Sequence, residues 1–196
     1  MTSTPTANEL AGRAIGALFF TGFGGIWLTL ALYAREMVTP LSTAVIAAGL
    51  GLLFPACFWL FRHSRRFPAR DENPAVSRAF RRINATQWIT IALVAFGFAR
   101  LHLNVYVISA ITAIVGLHLF PLAKLFHYPV HYATAIALVL WAGISLLIAP
   151  LDQLQGITAM GTGILLWLSA ATTLALAARR IRSAPGTSPI RRQQHA

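Results

Sequence analysis

A chain of 196 residues that is 57% hydrophobic and only 11% charged cannot wet a globular surface, because soluble domains carry charge on about a quarter of their positions. The net charge of +11 does not point to nucleic acid either, since the basic residues sit between and after apolar runs, where they meet lipid headgroups. The single cysteine, Cys57, leaves no disulfide framework and no cysteine-based metal motif, and nothing in the sequence requires a cofactor.

The apolar residues gather in continuous runs of about 20, the length that crosses a hydrocarbon core. Backbone amides in lipid must be satisfied within a helix or a closed barrel, and the runs lack the alternation of barrel strands. The fold class predicted is therefore all-α, a polytopic bundle of six transmembrane helices at residues 14–33, 41–61, 84–100, 103–123, 131–149 and 157–178. Residues 1–182 form one membrane domain, and 183–196 read as a disordered basic tail. Arginine outnumbers lysine fifteen to one, beside abundant alanine, a composition expected of a GC-rich bacterial genome and hence of a bacterial cytoplasmic membrane.

The first run is longer than the 7–15 residues of a signal-peptide core, and Leu32-Tyr33-Ala34 is a poor cleavage site, so it is expected to stay. Small residues mark close helix approach: Gly12, Gly16, Gly22, Gly24 and Gly25 in the first run, Ala47, Gly49 and Gly51 in the second, and Gly161 and Gly163 in the sixth, with small-xxx-small spacing at Gly12/Gly16 and Ala47/Gly51. Pro55 in the second span and Pro121 in the fourth each remove one helical hydrogen bond and predict a bend.

Residues 62–82 hold seven arginines. Pro68 and Pro74 bracket a turn with Asp71 and Glu72. Val76, Phe80 and Ile83 then recur at helical spacing among Arg78, Arg81 and Arg82. That pattern predicts a short amphipathic segment lying on anionic inner-leaflet headgroups, with the three arginines as headgroup contacts. Asn84, Gln87 and Trp88 open the third span as a cap and an interfacial tryptophan. This span is the shortest, and Arg100 and His102 stand at the turn into the fourth. The alternative is one kinked element over 84–123, giving five spans.

The arginines decide between six and five. The positive-inside rule places both 62–82 and the arginine-rich C-terminal tail in the cytoplasm, so an even number of crossings separates them. Six spans meet that condition with both termini inside and fourteen of sixteen basic residues cytoplasmic, leaving only Arg35 and Arg100 outside. Five spans would carry one arginine cluster across the membrane.

Ionisable residues inside spans are costly and are functional candidates by default. None of the five acids, Glu9, Glu36, Asp71, Glu72 and Asp152, falls within a predicted span. That weakens an ion-coupled mechanism and removes paired-carboxylate and His-Glu-x-x-His chemistry. No Gly-x-Ser-x-Gly elbow is present. An enzyme is the less favoured class.

His118 is the one ionisable residue well inside a span, and by depth its polar partners would be Asn84 and Gln87. A metal or haem site would need His118 with His127 and His131, but Pro129 disrupts their helical spacing and no carboxylate or cysteine joins them.

Asn84-x-x-Gln87-Trp88 followed by Gly116-Leu117-His118-Leu119-Phe120-Pro121-Leu122-Ala123 resembles a group of small uncharacterised bacterial multi-pass membrane proteins with a Gly-Leu-His-Phe-x-Pro-Leu-Ala run. The likeness spans Asn84 to Tyr132, roughly a quarter of the chain. It implies no activity and directs attention to His118.

The sequence favours a small-solute transporter or channel-like subunit with Asn84, Gln87 and His118 on a polar path. Two alternatives are a membrane-embedded enzyme or metal/haem binder at the cytoplasmic-face histidines, and a structural or regulatory protein docking through its basic loop. The expected partner is the lipid bilayer with its anionic headgroups, not nucleic acid. Self-association as a homo-oligomer stays open.

Overall fold

The computed structural model describes residues 6–69 and 73–183. Every regular element among them is helical: α1 (Ala7–Ala34), α2 (Pro40–Ser64), α3 (Pro74–Arg100), α4 (Val107–Phe126, preceded by a 3₁₀ turn at Asn104–Tyr106), α5 (Pro129–Ile148) and α6 (Leu154–Ser183). Five of these are long and apolar enough to cross a membrane, as in a multi-pass membrane protein: α1, α2, α4 with its 3₁₀ turn, α5 and α6. α3 is as long as the others but less apolar, because Asn84, Thr86, Gln87 and Thr90 dilute it.

Local chemistry starts the helices where proline and short polar side chains allow. Thr39 and Ser42 form a reciprocal capping box ahead of Pro40, with Thr39 Oγ1 accepting from the Ser42 amide at 3.1 Å and Ser42 Oγ accepting from the Thr39 amide at 2.9 Å. Asn73 Oδ1 accepts from the Ala75 amide at 2.9 Å and Pro74 takes the first helical position of α3. α5 begins at Pro129, but its cap residue Tyr128 makes no side-chain capping bond. The ends of α1, α3 and α4 are followed by Glu36, His102 and His127, all with positive φ.

The helices run alternately up and down. At one end, the Ala7 amide donates to the Pro68 carbonyl at 3.0 Å, Arg180 pairs with Glu9 at 3.0 Å, and Arg13 lies over the Tyr128 ring. The start of α1, the α2–α3 loop, the α4–α5 turn and the end of α6 therefore share that end. At the other, Gln155 Nε2 donates to the Asn104 carbonyl at 2.8 Å and Arg35 packs on Gly156.

α1 and α6 form the central pair. A Cβ on Gly163 would stand 2.8 Å from the Gly24 carbonyl, so only glycines permit this approach. α2 flanks α1, while α5 and α4 continue from α6, and α3 lies outermost against α4. Two tryptophans lock the contacts. Trp167 enters the space above Gly24 and Gly49 and donates to the Thr21 carbonyl at 3.0 Å. Trp141 covers Gly161 and donates to the Thr158 carbonyl at 3.0 Å. Ile26, Leu52, Leu93 and Leu147 point outward and exposed, a surface suited to lipid.

Several expectations need correction. Of the small residues expected at helix contacts, Gly12, Gly16 and Gly51 face open space, whereas Gly24, Gly25, Gly49, Gly161 and Gly163 do stand against neighbouring helices, joined by Gly156, which the pattern did not mark. The segment carrying Val76, Phe80 and Ile83 is no separate surface helix. It is the first part of α3, and Phe80 and Ile83 pack on the α4–α5–α6 core because one continuous helix carries them there. Asn84 consequently sits mid-helix and caps nothing, the cap being Asn73. α3 and α4 are two helices parted by His102, whose φ of 58° breaks the helix, so 84–123 is not one element. The expected Asp71–Glu72 turn and the tail from 184 onward lie outside the described residues.

Candidate functional site

His118 sits half-buried on α4, close to the Ile83 backbone of α3. Asn84 and Gln87 are also half-buried, and neither makes a side-chain hydrogen bond among the described residues. The structure thus sets His118 near the α3 backbone at Ile83 and gives it no hydrogen bond to those two amides. Its electrostatic neighbour is His131 of α5. His127 is exposed in the left-handed cap of α4, and no group of three or more His, Cys, Asp or Glu converges among the described residues. The three histidines named as metal candidates are therefore not assembled. Arg78, Arg81 and Arg82 lie exposed along one face and line a shallow groove with Ala85.

A second polar feature runs between α4, α5 and α6. Near one end, Ser109 meets Thr158 at 3.2 Å, Thr158 donates to Ser145 at 2.9 Å, and Thr112 meets Thr162 at 2.9 Å. Further along, Thr134 meets Ser169 at 2.7 Å. All seven hydroxyls are buried. Between these two layers lies a dry one built from Leu119, Leu138 and Leu166, with Leu122 and Ala135 beside them. Sequence reading passed over this seam because serine and threonine are unremarkable one at a time. The signal was nonetheless present in α6, where Thr158, Thr162, Ser169 and Thr173 share one helical face.

The inner hydroxyl layer leads toward a cluster at the basic end. Arg13 of α1, its side chain only 10% exposed, pairs with Glu9, and Glu9 also pairs with Arg180 of α6. The Arg13 guanidinium stands 4.8 Å above the Tyr128 ring centre, and Tyr128 is 6% exposed. His131 meets the Tyr128 ring edge-on at 5.0 Å and Phe20 at 5.6 Å, so Phe20 roofs the cluster toward the membrane interior. Arg13 Nη1, Tyr128 Oη, His131 Nδ1 and Thr173 Oγ1 are buried without a hydrogen-bond partner. Of these residues only His131 had been singled out from sequence. Arg13 is legible as an i,i+4 partner of Glu9, but nothing local links it to Tyr128.

No family model, no curated protein and no solved structure matches the chain.

Proposed function

We propose that this chain is a six-span protein of a bacterial cytoplasmic membrane, with both termini in the cytoplasm, acting as a small-solute transporter or channel-like subunit. The orientation is supported by charge. Among the described residues eleven Lys and Arg cluster at the end shared by Arg13, Lys124 and Arg180, whereas Arg35 and Arg100 stand at the other. In this reading α3 makes the sixth crossing, packed alongside α4 through Phe80 and Ile83.

One observation carries the transport reading: a polar interior divided by a single leucine layer. Hydroxyl pairs between transmembrane helices also hold those helices together. Here they form two wet-able layers on either side of Leu119, Leu138 and Leu166, the arrangement in which an apolar constriction gates a path by excluding water. The path meets the cytoplasmic end at His131 rather than at Asn84 and Gln87.

The test is permeability of sealed proteoliposomes to glycerol, urea and potassium phosphate, followed by light scattering after an osmotic step. Leu166→Ser should raise the flux of at least one solute well above that of the wild-type chain, by removing the dry layer. If neither chain passes any of the three faster than empty liposomes, the transport reading is wrong.

A further inference from the structure

The start of α5 presents an anion-binding arrangement without an anion-binding partner in the chain. A helix N-terminus concentrates unsatisfied amides and partial positive charge. In α5 that end lacks a side-chain cap; Pro129 supplies no amide and the His131 amide donates to the Tyr128 carbonyl at 3.2 Å, so the Val130 amide is what this end offers. By itself this is a common feature. The surroundings make it specific.

Arg13 and Tyr128 are both at least nine-tenths buried, and each keeps a polar atom unpaired: Nη1 of the guanidinium and the phenol oxygen. His131, three residues into the same helix start, adds an unpaired Nδ1. Thr173 adds an unpaired hydroxyl one turn beyond Ser169, whose partner Thr134 lies one turn along α5 from His131. Buried groups of this kind are nearly always paired. Arginine can only donate, and the phenol, imidazole and hydroxyl can each donate as well.

Charge distinguishes the missing partner from water. Glu9 bridges Arg13 and Arg180, so the three together carry one net positive charge, held at the exposed mouth of the cluster where the Arg180 side chain is 57% exposed. Water would satisfy the donors without drawing on that charge. A phosphate group satisfies both, offering several acceptor oxygens and negative charge in one ligand. Phe20 packs edge-on against His131, two turns along α1 from Arg13, while Arg180 and Glu9 stand on the exposed side of the cluster.

We infer that Arg13, Tyr128, His131 and Thr173, with the N-terminus of α5, bind a phosphate group, supplied either by a phospholipid headgroup or by free inorganic phosphate. This site does not depend on whether the leucine layer passes solute, because binding is read without flux.

The experiment uses the full chain purified in detergent. Native mass spectrometry measures retained phospholipid, and a thermal melt is followed while inorganic phosphate is titrated against chloride at equal ionic strength. A headgroup ligand appears as one phospholipid surviving purification; a free-phosphate ligand appears as a saturable rise in melting temperature specific to phosphate. In either arm Arg13→Gln should abolish the signal. Tyr128→Phe, which keeps the ring beneath the guanidinium and removes only the hydroxyl, should weaken binding about tenfold. Should Arg13→Gln fail to fold, Tyr128→Phe alone decides. Absence of both signals in the wild-type chain, or Tyr128→Phe binding as tightly as wild type, overturns the assignment.

Discussion

At the scale of single residues, the contacts that matter most are those where a large side chain replaces a missing one. Trp167 occupies the space left by Gly24 and Gly49, while Gly51, two residues further on in α2, has nothing within 4 Å of where its Cβ would stand. Glycine therefore means different things at these two positions, and only the neighbour distinguishes them. Gly49→Val should destabilise the protein by about 1–3 kcal/mol, the usual cost of overpacking, whereas Gly51→Val should be nearly neutral. In a Trp167→Ala background the Gly49→Val penalty should largely vanish, because the clashing ring is gone. Melting of the four chains in one detergent reads this coupling. Additive effects would mean that Trp167 does not fill that space. The same contrast applies to polar residues. His118 is conspicuous in the sequence as an imidazole inside an apolar run, and its place inside a span is what the structure retains. What stands near it is the Ile83 backbone, which no side-chain pattern announces.

Among the elements, α3 stands apart. No α3 residue is buried, and it is held by Phe80 against Phe126 at 5.8 Å, Trp88 against Phe23 at 6.4 Å and Ile83 packed on the α4–α5–α6 core. α6 by contrast buries residues along its whole length, from Leu154 to Ile181. Local stability follows the density of such packing. Hydrogen exchange in detergent should therefore show α3 opening first, and Phe80→Ala should accelerate exchange in its first half while leaving α6 unchanged. Equal protection of α3 and α6 would contradict this ranking. The boundaries of α3 also explain why its first half reads as a separate surface segment in the sequence. Three exposed arginines next to three apolar residues are the pattern of an interfacial helix. Only the continuity of the backbone from Pro74 carries Phe80 and Ile83 onto the α4–α5–α6 core.

For the whole molecule, the prediction that follows is topological. The α2–α3 loop and the end of α6 share one end of the bundle, and the α5–α6 turn occupies the other. A reporter fused after Arg82 or Arg182 should be active only as a cytoplasmic fusion, and one within Asp152–Gln155 only as an external one. A cytoplasmic signal from 152–155 would break the six-span orientation. The six helices, five of them long and apolar enough to cross a membrane, their bounds to within a few residues at most ends, and the gathering of basic residues at one end were legible in the sequence, because each depends on quantities that add along the chain. Run length is compared with bilayer thickness, and loop charge with loop charge. Tertiary structure alone decided which face of each helix meets which neighbour. In lipid an apolar face gains nothing by turning inward, so hydropathy does not orient the helix. Small residues and hydroxyls do, and their effect depends on what stands opposite. That is why Thr158 finds Ser145 and Ser109, why Gly24 faces Gly163 while Gly12 faces nothing, and why Arg13 lies over Tyr128 from the far end of the chain.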